Sequence, residues 1–235
     1  MNKKPLILNI ESATGVCSVC ISKGTEIVVY QEASETYQHA KVLTNLIDNC
    51  LKNSGYKLEE MDAVAVSSGP GSYTSLRVGL STAKGICYAL GLPLISVSTL
   101  HTLAMAAKKE VKDETVFYCP MIDARRMEVY CEVFDKEGKS LTEAAAKIID
   151  EHSFSRFFEE KNTIVFCGNG AEKCRSVLAR STAVFLPLEC SARYLPELSI
   201  SRYMNRKFED IAYFTPLYLK PPNITIPKNM NLLKA

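Results

Sequence analysis

The order of predicted strands and helices repeats once along the chain, and this repeat limits the fold more than any other feature. In the first half, the predicted strands are 6–10, 16–22, 26–31, 63–66 and 94–97, and the predicted helices are 39–53, 75–90 and 99–108. In the second half, the predicted strands are 115–122, 127–134, 144–149, 163–166 and 183–186, with helices at 153–160 and after Gly170. The shared order predicts two similar α/β lobes, each a mixed sheet flanked by helices.

The lobe boundary is predicted at the charged run Lys112-Asp113-Glu114, where the pattern starts again. We predict a first lobe over 1–110 and a second over 111–222, with the last helix of the second lobe packed back on the first. Residues 223–235 contain asparagine, lysine and proline without an apolar period, and they are predicted to form a tail.

Composition and charge exclude several classes of protein. The 235 residues are 47% apolar and 23% charged, as in an ordinary globular protein. No apolar run approaches the roughly 20 residues that span a bilayer. We expect no signal peptide, because residues 1–5 lead directly into a strand without an apolar h-region or cleavage site. A net charge of +2, with no stripe of basic and aromatic residues, gives no general attraction to nucleic acid. We therefore expect a cytoplasmic protein that binds neither membrane nor RNA directly.

The nine cysteines do not predict a metal site or a disulfide framework. Cys17 and Cys20 have C-x-x-C spacing, but both fall in the second predicted strand, where residues three apart point to opposite faces. The other seven are scattered singly, mostly in apolar runs. Buried, reduced thiols are the expected state.

A glycine-rich turn, Ser67-Ser68-Gly69-Pro70-Gly71-Ser72-Tyr73-Thr74, joins the strand 63–66 to the helix 75–90. Its glycines allow backbone angles that other residues avoid, and its hydroxyl residues suit a helix N-cap. Such a turn can present N–H groups to an anion, although the run is neither a P-loop nor a complete G-x-G-x-x-G. From spacing alone, an anion site and a tight connection without a ligand stay equally open.

The same stretch resembles the S-x-G-P-G-S-F-T-G-x-R-x-G motif of the TsaB (YeaZ) family. The resemblance covers most of residues 6–220 and includes Ala83-Lys84-Gly85, Val97-Ser98-Thr99-Leu100, Ile122-Asp123-Ala124-Arg125 and Pro216-Leu217-Tyr218-Leu219-Lys220. The chain departs from the pattern at Ser75, where the family usually has glycine, and at Glu11, where the first strand usually ends in aspartate. The resemblance implies the actin-like ATPase (ribonuclease H-like) fold, which agrees with the repeated lobes.

The resemblance also implies a function and partners. It implies a non-catalytic subunit that binds a TsaD-like catalytic subunit, in a complex that also uses a TsaE-like ATPase. That complex transfers a threonylcarbamoyl group to the adenosine beside the tRNA anticodon, so tRNA would be contacted only through the complex. The resemblance also implies that no cofactor is required, with ATP or ADP at the partner interface as the candidate ligand. The alternatives are a metallopeptidase-like enzyme, a small actin-fold ATPase and a self-associating dimer.

Two predicted helices, 39–53 and 75–90, carry apolar residues over a wider arc than one sheet requires. Gly79 and Gly85 each cost about 1 kcal/mol in mid-helix relative to alanine, which favours the close approach of another backbone. The alternative is that helices of the same lobe cover the second side. We predict that these helices bind the partner and form a homodimer in the isolated protein. The predicted contact residues are His39, Val42, Leu43, Leu46, Cys50, Arg77, Val78, Leu80, Ala83, Lys84 and Cys87.

The turn after the first strand is the second candidate site. A nucleotide site in this superfamily needs an acidic residue and a turn rich in hydroxyl groups or glycine. The candidate nucleotide contacts here are Glu11, Ser12, Thr14, Gly69, Gly71 and Ser72. A metal is not expected, because TsaD enzymes use an H-x-x-x-H pair and the residue four after His39 is Leu43. Since no hydrolase motif is present either, we expect no catalysis by this chain.

Overall fold

The computed structural model describes residues 4–33, 39–111, 116–159 and 162–221. The predicted tail at 223–235 therefore lies outside the described residues, as do Thr115 and Glu160 at the ends of two predicted elements. The first half contains β1 (Leu6–Glu11), β2 (Cys17–Lys23), β3 (Glu26–Ala33), α1 (His39–Ser54), β4 (Ala63–Ser67), α2 (Tyr73–Leu90), β5 (Leu94–Val97) and α3 (Thr99–Glu110). The second half contains β6 (Val116–Asp123), β7 (Glu128–Cys131), β8 (Ala145–Ile148), α4 (Ser155–Glu159), β9 (Thr163–Cys167), α5 (Arg175–Leu178), β10 (Ala183–Leu186) and α6 (Pro196–Met204).

The two halves form two five-stranded sheets with the same strand order. The first sheet runs β3-β2-β1-β4-β5, and the second runs β8-β7-β6-β9-β10. In each sheet, the first three strands in sequence pair antiparallel, and the last two add in parallel. The predicted pair of similar mixed-sheet lobes is confirmed.

The helices before and after the fourth strand of each lobe differ in length between the lobes. In the first lobe, α1 has 16 residues and α2 has 18, whereas α4 and α5 at the equivalent places have 5 and 4. The helix expected after Gly170 is therefore only a 3₁₀ turn, Glu172–Cys174, that leads into α5. The two lobes have the same strand order, but their helices differ in length.

The start of α2 differs from the prediction by two residues. The helix begins at Tyr73 rather than Ser75, with Ser72 as the N-cap residue, whose side chain makes no capping hydrogen bond. The backbone carbonyl of Ser72 instead accepts from the N–H of Leu76 at 2.9 Å. At the other end, Gly91 adopts the left-handed conformation, with φ +65°, that commonly ends a helix.

The third helix of each half packs on the sheet of the other half. From α3, Leu100 and Leu103 join a buried cluster with strand residues of the second sheet, including Tyr118 and Val165. From the second half, Leu195 and the residues of α6 join a cluster with β1, β4 and β5 of the first sheet. The contact between the lobes is therefore built from two exchanged helices.

All nine cysteines are free and buried, as the sequence predicted. Cys17 and Cys20 both lie in β2, which places them in a strand as expected. Within the described part of the chain, no helix is both long and apolar enough to cross a membrane.

Candidate functional site

Most of the apolar residues predicted to bind a partner lie in the core of the first lobe. The buried ones are Leu43, Leu46 and Cys50 of α1 and Leu80, Ala83 and Cys87 of α2. They pack against β1, β2 and β4 in one cluster, and Val42 and Val78 are half-buried against it. These six buried side chains support the fold and are not available at the surface, which corrects that part of the predicted contact set. His39 opens α1, and its side chain lies outside the described part.

A different set of α2 residues faces outward, and we call it the outer face of α2. It consists of Arg77, Ser81, Gly85, Tyr88 and Ala89, all of which are exposed. Four of them follow each other at intervals of four, so they form one row along the helix. Tyr88 is 84% exposed, and a Cβ added to Gly85 would meet no atom within 4 Å. From Ser81 to Ala89 this face is open within the described part of the chain, whereas Arg77 at its start contacts Tyr218.

The two polar cations predicted on α2 have different environments. The guanidinium of Arg77 lies over the ring of Tyr73, 4.3 Å from its centroid, and its Nε donates to the hydroxyl of Tyr218 at 3.3 Å. The rings of Tyr73 and Tyr218 are themselves 4.6 Å apart. Lys84 is half-buried at the margin of the outer face. Arg77 is therefore held in one orientation by the segment that follows α6.

Gly71 brings the glycine turn into contact with the turn after β1. A Cβ at Gly71 would lie 2.3 Å from the carbonyl oxygen of Ala13, far inside van der Waals distance. The same oxygen accepts a hydrogen bond from the N–H of Ser72 at 2.7 Å. Only glycine fits here, because the backbones of the two turns touch directly.

Gly79 makes a second close contact between α2 and the same turn. A Cβ at Gly79 would lie 2.1 Å from Oγ of Ser12. That hydroxyl donates to the carbonyl oxygen of Ser75 at 3.0 Å. The mid-helix glycine that the sequence associated with a partner is therefore used inside the lobe, whereas Gly85 remains open.

Glu11 ends β1 and is fully buried. One carboxylate oxygen accepts from the N–H of Ala13 at 2.7 Å, while Oε2 finds no partner among the described residues. Burial raises the pKa of this carboxyl to about 7, although hydrogen bonds from Ala13, Ser67 and Ser12 oppose the shift. The side chain therefore changes its charge close to neutral pH.

These contacts bear on whether the first lobe alone could hold a nucleotide. The space beside Gly71 is filled by the carbonyl of Ala13, and the N–H of Ser72 is already engaged. Ser12, Thr14 and Glu11 are buried below the turn. Gly69, Gly71 and Ser72 therefore do not form a phosphate cradle by themselves. ATP or ADP at a partner interface stays a prediction.

The equivalent acid of the second lobe has a different environment. Asp123 ends β6 with its side chain 46% exposed, and it forms an ion pair with Lys173. Its carboxylate also accepts from the N–H of Arg125 at 2.9 Å, and Lys173 donates to the carbonyl of Glu128 at 2.7 Å. Sequence reasoning missed Lys173, because the two residues are 50 positions apart and no local motif links them.

The segment after α6 crosses from the first lobe to the second. The N–H of Leu217 donates to the carbonyl of Ser68, in the glycine turn, at 2.8 Å. A Cβ at Gly69 would meet the carbonyl of Leu217 at 2.9 Å. Three residues later, Lys220 pairs with Glu128 of β7. The Pro216–Lys220 stretch therefore holds the glycine turn from outside the first sheet.

Within the described ranges, no group of three or more histidine, cysteine, aspartate or glutamate side chains is placed to hold a metal ion. Leu43, at the position of the second histidine in the H-x-x-x-H pattern, is buried in the core of the first lobe. The expectation that the chain needs no metal stays a prediction.

Comparison with known proteins gives consistent matches. Residues 28–214 match the family described as TsaD, tRNA N6-adenosine threonylcarbamoyltransferase. The chain is 27% identical over 223 residues to the tRNA threonylcarbamoyladenosine biosynthesis protein TsaB of Escherichia coli, covering 91% of this chain and 94% of that protein. It is 38% identical over 125 residues to TsaB of Haemophilus influenzae, covering 53% of this chain and 51% of that protein. The chain thus matches about half the length of the second relative.

Among solved structures, YeaZ from Pseudomonas aeruginosa has a TM-score of 0.76 to this chain at 23% sequence identity. The superposition covers 92% of this chain and 100% of that one. At this identity the similarity concerns the fold. Together with the repeated strand order, it confirms the predicted actin-like ATPase (ribonuclease H-like) architecture.

Proposed function

Since the chain belongs to the TsaD family and, within it, to the TsaB (YeaZ) group, we propose that it serves as a non-catalytic subunit in the biosynthesis of threonylcarbamoyladenosine in tRNA. Its role is to bind a TsaD-type catalytic subunit. The complex transfers the threonylcarbamoyl group to the adenosine beside the anticodon. A TsaE-like ATPase and tRNA meet this chain only through that complex.

The outer face of α2 carries this proposal. Gly85 lies exposed in mid-helix with nothing near its Cβ position, although glycine there costs about 1 kcal/mol relative to alanine. An approaching helix gives a physical reason for that cost. Tyr88, 84% exposed on the same face, is the kind of residue that dominates binding energy at interfaces.

The rigidity of α2 also supports the proposal. Its inner side is buried in the core. At Gly71 and Gly79, the start and first half of the helix pack closely against the turn after β1. A surface held by such contacts loses little conformational entropy on binding, which favours affinity. In the absence of the catalytic subunit, we propose that the same face joins two copies of this chain.

The strand-end turns support a non-catalytic role. Glu11 is buried below the glycine turn, and Asp123 is paired with Lys173. Both acids are therefore engaged in contacts within the chain and not arranged around an open pocket. We therefore assign the catalytic groups of the transfer reaction to the partner.

The test is a titration of the chain against the TsaD-type transferase of the same organism. Gly85→Arg adds a long side chain to the outer face without a clash inside the lobe, so we expect affinity to fall by about 30-fold or more. Ala145→Arg, a matched change at an exposed position of β8, should bind as the unmodified chain does. Equal binding by Gly85→Arg and the control would place the interface elsewhere.

The same variants separate a scaffold from an enzyme. In a reconstituted tRNA modification assay, Gly85→Arg should reduce activity only as far as it reduces complex formation, so a saturating concentration of the variant restores the rate. A variant that assembles fully but leaves the rate about a thousandfold lower, equivalent to roughly 4 kcal/mol of barrier, would assign catalytic groups to this chain.

A further inference from the structure

A cavity of about 190 Å³ lies between the first turn of α3 and the second half of α6. Its lining includes Ser98, His101, Ser201, Arg202 and Lys207. Because α3 packs on the second sheet and α6 on the first, the cavity lies where the two exchanged helices meet. The proposed partner surface does not include it.

The cavity is lined by hydrogen-bond donors and by two cations. Arg202 and Lys207 carry positive charge, and no carboxylate belongs to the lining. Glu209, the carboxylate that approaches Arg202, stays 3.9 Å from its Nη1 and accepts from Oγ of Ser96 at 2.5 Å. Among the described residues, no carboxylate comes within hydrogen-bond distance of either cation. Both cations therefore retain donors for a ligand.

The α3 side of the cavity adds a helix N-terminus and an imidazole. Ser98 is the N-cap of α3, and its Oγ accepts from the N–H of His101 at 3.3 Å. The positive end of the helix dipole lies at this wall. The ring of His101 stacks on Phe134, with centroids 5.2 Å apart. Burial and the nearby Arg202 lower the pKa of His101, whereas a hydrogen bond with the backbone of Gly138 opposes the shift.

We propose that this cavity binds a small phosphate-bearing anion. Arg202 and Lys207 supply the charged contacts, and the hydroxyls of Ser98 and Ser201 supply neutral donors. Two cations and a helix N-terminus around one small volume favour a dianion over a carboxylate, because charge-assisted hydrogen bonds are the stronger ones. The anion bridges α3 and α6 and therefore stabilises the contact between the lobes.

The first test follows the histidine side chains by NMR while inorganic phosphate is added at constant ionic strength. A bound anion favours the protonated imidazole, so we expect a saturable shift of the His101 signals and a rise in its pKa. The groups that face this ring are Arg202 of α6, the backbone of Gly138 and the ring of Phe134. His152, whose side chain is 83% exposed outside the cavity, is the internal control.

The second test removes the two cations in Arg202→Gln/Lys207→Gln and compares Lys57→Gln, an exposed lysine that does not line the cavity. The double variant should bind phosphate at least about tenfold more weakly, and the control should bind as the unmodified chain does. If the double variant unfolds at a lower temperature than the unmodified chain in phosphate-free buffer, Lys207→Gln alone is measured in its place.

Glycerol phosphate and acetate complete the test by separating the possible ligands. Tighter binding of glycerol phosphate than of inorganic phosphate indicates a phosphomonoester, and the reverse order indicates the free ion. Acetate should bind more weakly than either. Equal binding of acetate, an equal response of His152, or unchanged affinity in the cation variants would each overturn the proposal.

Discussion

The two lobes have the same strand order, yet they use their strand-end acids and their helices differently. In the first lobe, Glu11 is fully buried beneath a glycine turn, and α1 and α2 have 16 and 18 residues. In the second, Asp123 is half-exposed and paired with Lys173, and α4 and α5 have 5 and 4 residues. Of these four helices, α1 and α2 are therefore the ones long enough to bury one side and offer the other to a partner.

This difference shows that a duplicated topology does not imply a duplicated role. The first lobe stabilises α2 through close backbone contacts at Gly71 and Gly79. The short helices of the second lobe pack around an aromatic cluster that includes Phe154, Phe166 and Phe185. We infer that the helices of the first lobe present a surface to a partner, whereas the helices of the second lobe cover its own core.

The largest effect is expected from Gly71→Val. The added side chain starts 2.3 Å from the carbonyl oxygen of Ala13, so the unfolding free energy should fall by about 3 kcal/mol. For a chain of this size, that lowers the midpoint of thermal unfolding by roughly 6–12 °C. Gly85→Ala, with open space around it, should instead raise stability by up to about 1 kcal/mol. If both variants lost similar amounts of unfolding free energy, Gly71 and Gly85 would not differ in how closely the chain packs around them.

The next largest effect concerns the pH dependence of stability. The pKa of Glu11 is raised by burial to about 7 in the folded chain, above the ordinary value of 4.5. The folded state therefore binds more protons between these values, and stability decreases as pH rises through this window. Between about pH 5 and pH 8 the loss should be on the order of 2–3 kcal/mol.

Urea unfolding over that pH range checks this prediction. Glu11→Gln, which cannot ionise, should largely flatten the decline. Asp123→Asn is the matched change in the second lobe and should leave the decline in place. A decline that persists in Glu11→Gln would show that another group is responsible.

A smaller effect is expected from Lys173→Gln in the second lobe. The change removes the ion pair with Asp123 and a hydrogen bond to the carbonyl of Glu128. Because both side chains are partly exposed, the loss should be about 1 kcal/mol, measured by urea unfolding. A loss as large as that of Gly71→Val would mean that the second strand-end turn is as tightly built as the first.

The smallest effect is expected from Tyr218→Phe. Only the hydrogen bond from Arg77 is lost, while the ring contact with Tyr73 remains. The thermal midpoint should change by no more than about 2 °C. Tyr218→Ala also removes the ring contact, and it should affect partner binding more than stability if the segment orients Arg77. A large stability loss in Tyr218→Phe would show that the hydrogen bond from Arg77, and not the ring contact, stabilises this segment.

The order of strands and helices along the chain could be predicted from the sequence, because short apolar runs between turn residues repeat in both halves. The faces of α1 and α2 could not. Leu80 and Ala83 are apolar, as residues at a partner interface also are. Only the packing of the folded chain shows that they cover β4. The pairing of Lys173 with Asp123 and the exchange of α3 and α6 join distant parts of the chain. No local pattern indicates such contacts.

The most direct test of the central claim is amide hydrogen exchange of this chain with and without the TsaD-type transferase. If the outer face of α2 binds the partner, exchange should slow in peptides from α2, while peptides from α4 and α5 keep their rates. Protection confined to the second lobe, or no protection in α2 when the complex is fully formed, would contradict the account.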